Sequence, residues 1–296
     1  MKVLITGGNG FLGQHLTLFL SAQNYEVYVA SLGECRIPDK GSFTYLDVDL
    51  RNSDALKTVV NNIQPNIIIH AAAMSKPDEC KNNPQACLQL NVDATRYLLN
   101  AFSATRQPSL FIYISTDFVF GENGPHGEDE EKGPLNFYGE SKCMAEQLVE
   151  ESGLPYAIVR PVFIYGPTWN GLRASFLQWV KNSLEEQKQI KVVSDQLRTP
   201  TYVIDICKGI IEIINRKKEG VYHLAGKDIL SPYDMAIKTA NILGLDAALI
   251  ENVTSEYFVE PVVRPKRAGL KIDKAIEELD YAPVSFEDGI RYTFNI

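Results

Sequence analysis

Three glycines, Gly7, Gly10 and Gly13, follow the first apolar run of this chain, Lys2–Thr6, at three-residue spacing. This G-x-x-G-x-x-G pattern at a strand–helix junction limits the fold more than any other feature of the sequence. Glycine lets the backbone turn tightly and lets a pyrophosphate approach the N-terminus of the next helix. There, free N–H groups and the helix dipole favour an anion. Gly7, Gly10 and Gly13, with Phe11 and Leu12 opening the helix, are therefore read as the pyrophosphate cradle of a dinucleotide site.

The rest of the chain alternates short apolar runs with helical stretches. Residues 27–30, 43–46, 67–71, 110–115 and 156–160 read as strands, and residues 11–22, 53–62, 84–105 and 138–152 as helices. Such alternation means βαβ units and a parallel sheet with helices on both faces. The unbroken apolar runs VLI, III and LFIYI fit strands covered on both sides. After Tyr165 the pattern loosens: residues 175–187 and 231–243 read as helices, 191–193 and 221–224 as strands. Ser231 and Pro232 supply an N-cap and a first-position proline. The expectation is an α/β, Rossmann-type doubly wound parallel sheet over residues 1–165. A smaller C-terminal α/β lobe over 166–296 takes the substrate, with some chain crossing back. The charged stretch 128–132 reads as a solvated surface loop.

Composition narrows the class. The formal charge of −8 over 296 residues argues against a nucleic-acid partner, which needs a basic face. No apolar run approaches the ~18 residues of a membrane span. The start, MKVLITGGNG, enters a strand directly without the pattern of a signal peptide. A soluble cytoplasmic protein without membrane partners is expected. The five cysteines form no CxxC and none is placed with the four histidines at ligand spacing, so reduced thiols and no metal are expected.

The second strand ends in Ala30-Ser31-Leu32, with no acid before Glu34 and with Arg36 close by. A carboxylate there would hold ribose hydroxyls; its absence beside an arginine suits a 2′-phosphate. NADP, as NADPH, is the expected cofactor, with NAD as the alternative. Ala71, Ala72 and Ala73 end the fourth strand with side chains small enough to pass under it. Tyr138 and Lys142 stand four apart at the head of a helix and share a face. A phenol titrates near 10 and needs a nearby cation to act as an acid–base group at neutral pH. Lys142 supplies one and can also bond the nicotinamide ribose. Ser115-Thr116-Asp117 closes the fifth strand and brings hydroxyls to the same cleft, beyond the carboxyl ends of the strands.

TGGNGFLG, the AAA after strand four, ISTDFVFG, YGESK and RPVFIYGP, in this order, resemble the extended short-chain dehydrogenase/reductases that act on nucleotide sugars. Within that superfamily the chain is most similar to the dTDP-4-dehydrorhamnose reductases, through RTPTYVID, GVYHLAG and RPKRAGLKID as well. The regulatory beta subunit of methionine adenosyltransferase shares the pattern. The resemblance implies Tyr138 as proton donor, Lys142 as its partner and Thr116 as the hydroxyl that orients the substrate carbonyl. It implies Asp49 and Leu50 beside the adenine, Asn91 near the active centre, and Arg160 and Pro161 beside the nicotinamide. Asp117, Phe118, Arg264 and Arg267 fall in segments that meet the substrate. A homodimer through the helices at 84–105 and 138–152 is likewise implied.

Two departures matter. Nucleotide-sugar dehydratases carry an acid where this chain has Phe118, which transfers no proton, so elimination is not expected. The segment Met74–Pro84 replaces the one that usually lines the sugar cleft. The reaction so implied is reduction of a nucleotide-linked 4-keto-6-deoxy sugar. A dinucleotide-binding regulatory subunit and a nucleotide-sugar epimerase are the alternatives.

Overall fold

The computed structural model describes residues 1–38, 41–169, 172, 174–258 and 261–296. Its centre is a parallel seven-stranded sheet. The strands are β1 (Lys2–Thr6), β2 (Glu26–Ser31), β3 (Phe43–Asp47), β4 (Ile67–His70), β5 (Leu110–Ile114), β6 (Tyr156–Arg160) and, much later, β10 (Gly220–His223). They lie in the order β10-β6-β5-β4-β1-β2-β3. The order reverses between β1 and β4, and open α/β sheets hold ligands at such a switch point.

Alternate residues of each strand serve opposite faces. Val3 and Ile5 of β1 pack with α1 (Phe11–Ser21) and α8 (Val203–Asn215). Leu4 between them packs with α2 (Ser53–Ile63), α5 (Ala94–Ser103) and α6 (Phe137–Glu150) on the other face. The helices before Tyr165 therefore sit where the sequence pattern leaves them, while α8 is an addition. Its Ile206, Ile210, Ile213 and Ile214 have helical spacing, but they lie among further isoleucines that blur the period. Helix α8 and strand β10 are the chain that crosses back to the sheet.

Three segments differ from expectation. The stretch 84–105 is not one regular helix: α4 (Pro84–Leu88) runs through a π-turn at Gln89–Asp93 into α5. Asn91 lies buried within this wider turn. Most of Met74–Pro84 is not loop but α3 (Pro77–Asn82), started by Pro77 with Asp78 and Glu79 in its first turn. The charged stretch 128–132 is only partly solvated, since Glu128 accepts the backbone N–H of His223 and Lys132 pairs with buried Glu146.

Beyond β7 (Ile164–Tyr165), which pairs with β9 (Thr201–Tyr202), a separate core forms. Helices α7 (Phe176–Glu185) and α9 (Pro232–Leu243) pack on the pair β8 (Ile190–Val193) and β11 (Ile250–Val253). Ser231 and Asp234 form a capping box at the start of α9, where the sequence places an N-cap. Helices α10 (Asp273–Leu279) and α11 (Phe286–Phe294) complete the chain. No helix among the described residues is long and apolar enough to cross a membrane.

The glycine loop sets how closely these layers approach. Gly7 has φ +75°, and a Cβ on it would lie 2.6 Å from the Ala72 nitrogen; one on Gly13 would lie 2.2 Å from the Gly7 carbonyl oxygen. Both obstacles are backbone and cannot rotate aside. Gly13→Ala is therefore expected to destabilise the ligand-free protein by about 1–3 kcal/mol, the usual cost of overpacking. Chemical denaturation measures this, and an unchanged midpoint contradicts the close-approach account.

Candidate active site

Two cavities, of about 430 Å³ and about 460 Å³, open above the carboxyl ends of the strands. They share Gly10, Ala71 and Ala73, so they are two halves of one cleft divided by the glycine loop. The sequence places a dinucleotide across this junction.

The first half is lined by Gly7, Gly10, Ser31, Arg36, Asp49, Leu50 and Ala71 to Ala73, all expected there, and by Asn9 and Arg51, which were not. Asn9 is the fastener of this half. Its Nδ2 donates to the carbonyls of Leu32 and Glu34 and to Tyr45 Oη, and its Oδ1 accepts the Arg36 N–H at 2.9 Å. It thereby sets the loop after β2, where Ser31 and exposed Arg36 stand. The only signal for it was a polar residue inside TGGNG. Arg51 chelates the Asp49 carboxylate at 2.7 to 3.2 Å, and these hydrogen bonds hold that carboxyl below its ordinary range.

The second half brings Phe11, Leu12, Gly13, Ser115, Thr116, Asp117, Phe118, Tyr138, Lys142 and Pro161 together, with Phe163, Ile164 and Ser175 from the following segment. Asn136 caps α6 by accepting the Gly139 N–H, which seats Tyr138 and Lys142 on its first turns. Lys142 is 1% exposed; its Nζ donates to the Ile114 carbonyl at 2.7 Å and lies 4.0 Å from the centre of the Tyr113 ring. Burial pushes this ammonium down to about 7. Tyr138 meets the Phe118 ring edge to face at 5.6 Å. Burial raises its phenol, and the Thr116 hydroxyl works the other way. Thr116 donates to Asp117 at 3.1 Å and accepts the Phe118 N–H. Burial also raises the Asp117 carboxyl, against the pull of Arg198. Ser115 lines this half, its Oγ buried and without a hydrogen-bond partner among the described residues. An orphaned buried hydroxyl facing a cavity fits a site whose polar complement is a ligand.

Four expected residues lie elsewhere. Asn91 is fully buried outside the lining. Its amide holds both the N–H and the carbonyl of Met74 and the Ser141 hydroxyl, so it shapes the cleft wall through the backbone. Pro161 reaches the cleft, but the Arg160 guanidinium forks onto Glu146 at 2.9 and 2.8 Å, because a buried guanidinium needs a carboxylate. Arg264 contacts Asp78 of α3 at 3.0 Å. Arg267 is exposed, and its backbone N–H donates to Glu122. Neither arginine lines the described cleft.

The RmlD substrate binding domain model matches residues 1–295. The chain belongs to this family. It is similar to the bovine methionine adenosyltransferase 2 subunit beta, 32% identical over 91% of this chain and 80% of that protein. It is also similar to the spore coat polysaccharide biosynthesis protein SpsK of Bacillus subtilis, 29% identical over 98% and 95%. A solved structure of dTDP-4-dehydrorhamnose reductase from Bacillus anthracis in complex with NADP superimposes with a TM-score of 0.84 at 28% identity, covering 99% of both chains.

A family site with a buried lysine has a thermodynamic signature. Lys142 titrates lower in the folded chain than in the unfolded one, so its burial is most costly below pH 7, where both states are charged. The cost fades as pH rises toward 10.5. Lys142→Met is accordingly expected to stabilise the ligand-free protein at pH 6.5 by a few kcal/mol, since each tenfold weaker hold on the proton costs on the order of 1.4 kcal/mol. That gain should shrink toward pH 10. Thermal unfolding of both chains across this range tests it, and a gain that grows with pH has the wrong sign.

Proposed function

We propose that this chain is an NADPH-dependent reductase of a nucleotide-linked 4-keto-6-deoxy sugar, similar to dTDP-4-dehydrorhamnose reductase. The observation that carries this reading is the convergence of Thr116, Tyr138 and Lys142 on one wall of the cleft, next to the glycine loop. When bound, the dinucleotide supplies the hydride. Gly7, Gly10, Phe11, Leu12 and Gly13 hold its pyrophosphate, and Ser31, Arg36, Asp49, Leu50 and the Ala71–Ala73 stretch hold its adenosine half. Ser115, Tyr138, Lys142 and Pro161 hold the nicotinamide half. Tyr138 gives the proton to the carbonyl oxygen, Thr116 hydrogen-bonds that oxygen as charge develops, and Lys142 supports the phenol and bonds the ribose. Phe118 packs on Tyr138 and transfers no proton, which disfavours elimination.

Residues 1–165, with α8 and β10, serve the dinucleotide, and most of 166–296 serves the sugar. Arg264 and Arg267 take its diphosphate, drawn from Asp78 in the case of Arg264. Asp117 and Phe118 border the sugar. The protein is a soluble cytoplasmic homodimer that joins through α5 and α6, where Met144 is exposed. Its charge of −8 argues against a nucleic-acid partner.

The similarity to the adenosyltransferase beta subunit favours a second reading, a dinucleotide-binding regulatory subunit. A binding subunit has no need of a proton donor, and the intact Thr116, Tyr138 and Lys142 set therefore weighs toward catalysis.

Two measurements test the proposal. Ser31→Asp should repel a 2′-phosphate and cost NADPH a charge-assisted contact of about 1.5–3 kcal/mol, moving preference toward NADH. Fluorescence titration with both reduced dinucleotides checks this, and tighter NADH binding by the unaltered chain refutes it. Tyr138→Phe should lower turnover of a 4-keto nucleotide sugar by roughly 10²–10⁴ with little change in NADPH affinity, and Thr116→Val by less. Absorbance at 340 nm follows the reaction. If Tyr138→Phe keeps most of the activity, the chemistry is wrong; if no keto sugar is reduced while a partner enzyme responds, the regulatory reading holds.

A further inference from the structure

The proton donor needs a cation beside it, yet Lys142 lies where charge is least welcome. Its contacts, the Ile114 carbonyl and the Tyr113 ring face, carry dipoles rather than a full charge. The titratable groups facing it come from every neighbouring element. They are His70 of β4, Cys80 of α3, Cys87 of α4, Tyr113 of β5, and Tyr138 and Glu146 of its own helix. His70 is neutral, wedged between the Thr6 and Thr95 hydroxyls, with burial pushing it down to about 3. Cys80 and Cys87 form a buried thiol pair beside Tyr138. The carboxylates are Glu146 and, from the turn after β5, Asp117, which lines the same half of the cleft and whose carboxyl burial raises.

The placement of Glu146 is specific. Tyr138, Lys142 and Glu146 repeat every four residues, so they share one face of α6. The Glu146 side chain is 0% exposed and cannot be screened by water or salt. Two cations fix it: the Arg160 fork, and Lys132 at 2.7 Å. Arg160 is itself locked by the Glu128 carbonyl, His223 and the face of Phe120, 4.9 Å away. Burial alone would raise the Glu146 carboxyl, but these partners hold it at about 2, so the charge persists at every working pH.

We propose that Glu146 is a positioning residue of the reaction: its buried carboxylate, one helical turn away and fixed by Arg160 and Lys132, favours the ammonium form of Lys142 beside Tyr138. The consequence for turnover rests on the reductase reading; the effect on Lys142 does not. The pairing acts through the helix interior, where one full charge a helical turn away outweighs many dipoles.

The test reads Lys142 directly, by NMR titration of the full chain with ¹³C-labelled lysine, the signal assigned by its loss in Lys142→Met. Glu146→Gln is expected to lower the Lys142 midpoint by about one pH unit, a tenfold weaker hold on the proton. Lys132→Gln removes a neutralising cation while the Arg160 fork still keeps Glu146 ionised, and should raise it; Arg160→Gln frees the buried carboxyl to take a proton and should lower it as Glu146→Gln does. A merely structural role for Glu146 predicts no opposed shifts. An unmoved midpoint in Glu146→Gln overturns the proposal, and so does an equal fall in Cys87→Ala, which would assign the role to a thiolate. If Glu146→Gln does not fold, Lys132→Gln decides, because that side chain is 28% exposed and tolerant: no upward shift overturns the pairing. The alkaline limb of NADPH-dependent turnover should move with the midpoint in each variant. If the midpoint moves and the limb does not, the proton-donor reading of Tyr138 and Lys142 fails while the pairing of Glu146 with Lys142 stands.

Discussion

Backbone packed against backbone at the glycine loop underlies everything else in this molecule. Gly7 passes under Ala72, and Gly13 rests on the Gly7 carbonyl, with no room for a methyl group at either point. That approach seats α1 against β1 and β2 and brings the loop onto the chain leaving β4, where the strand order reverses. It therefore fixes the N-terminus of α1 and the alanine stretch after β4 relative to each other. Both halves of the cleft meet on this loop, so its width sets the alignment of one half with the other.

Around the cleft, charge is arranged by burial rather than by number. Lys142 and Glu146 occupy a helix face covered by the sheet, and the Arg160 fork lets that face hold a carboxylate where an unpaired one would be prohibitive. The same ties run outward. Lys132 and Glu128 connect this cluster to the segment before α6, so a stretch rich in surface charges also anchors that helix.

The C-terminal chain closes the far side through a few long-range contacts. Asn136, the cap of α6, donates to the Val263 carbonyl; Lys81 donates to the Pro261 carbonyl; Arg264 meets Asp78. Residues 261–264 thus bridge α3 and the start of α6. In this chain α3 stands in the segment 74–84, which departs from the reductase pattern.

The sequence by itself determined the sheet, the glycine loop, the Ser231 cap and the Tyr138–Lys142 pair. These depend on relations within one strand, one turn or one helix: an unbroken apolar run, a residue without Cβ, a spacing of four. Asn91 and Arg160 illustrate the limit. Both were assigned to the site through the family resemblance, and both side chains bond behind the cleft lining: Asn91, within the π-turn, holds the Met74 backbone, and a carboxylate fourteen residues earlier captures Arg160. Asn9 and Arg51 entered the cleft without warning, because their partners are set by the loop after β2 and by a local turn rather than by periodicity. Strand β10 joins β6 across some sixty residues, and Arg264 meets Asp78 across 186. Only the tertiary structure decided those contacts, because they are fixed by where the sheet order and the crossing helices bring distant segments together.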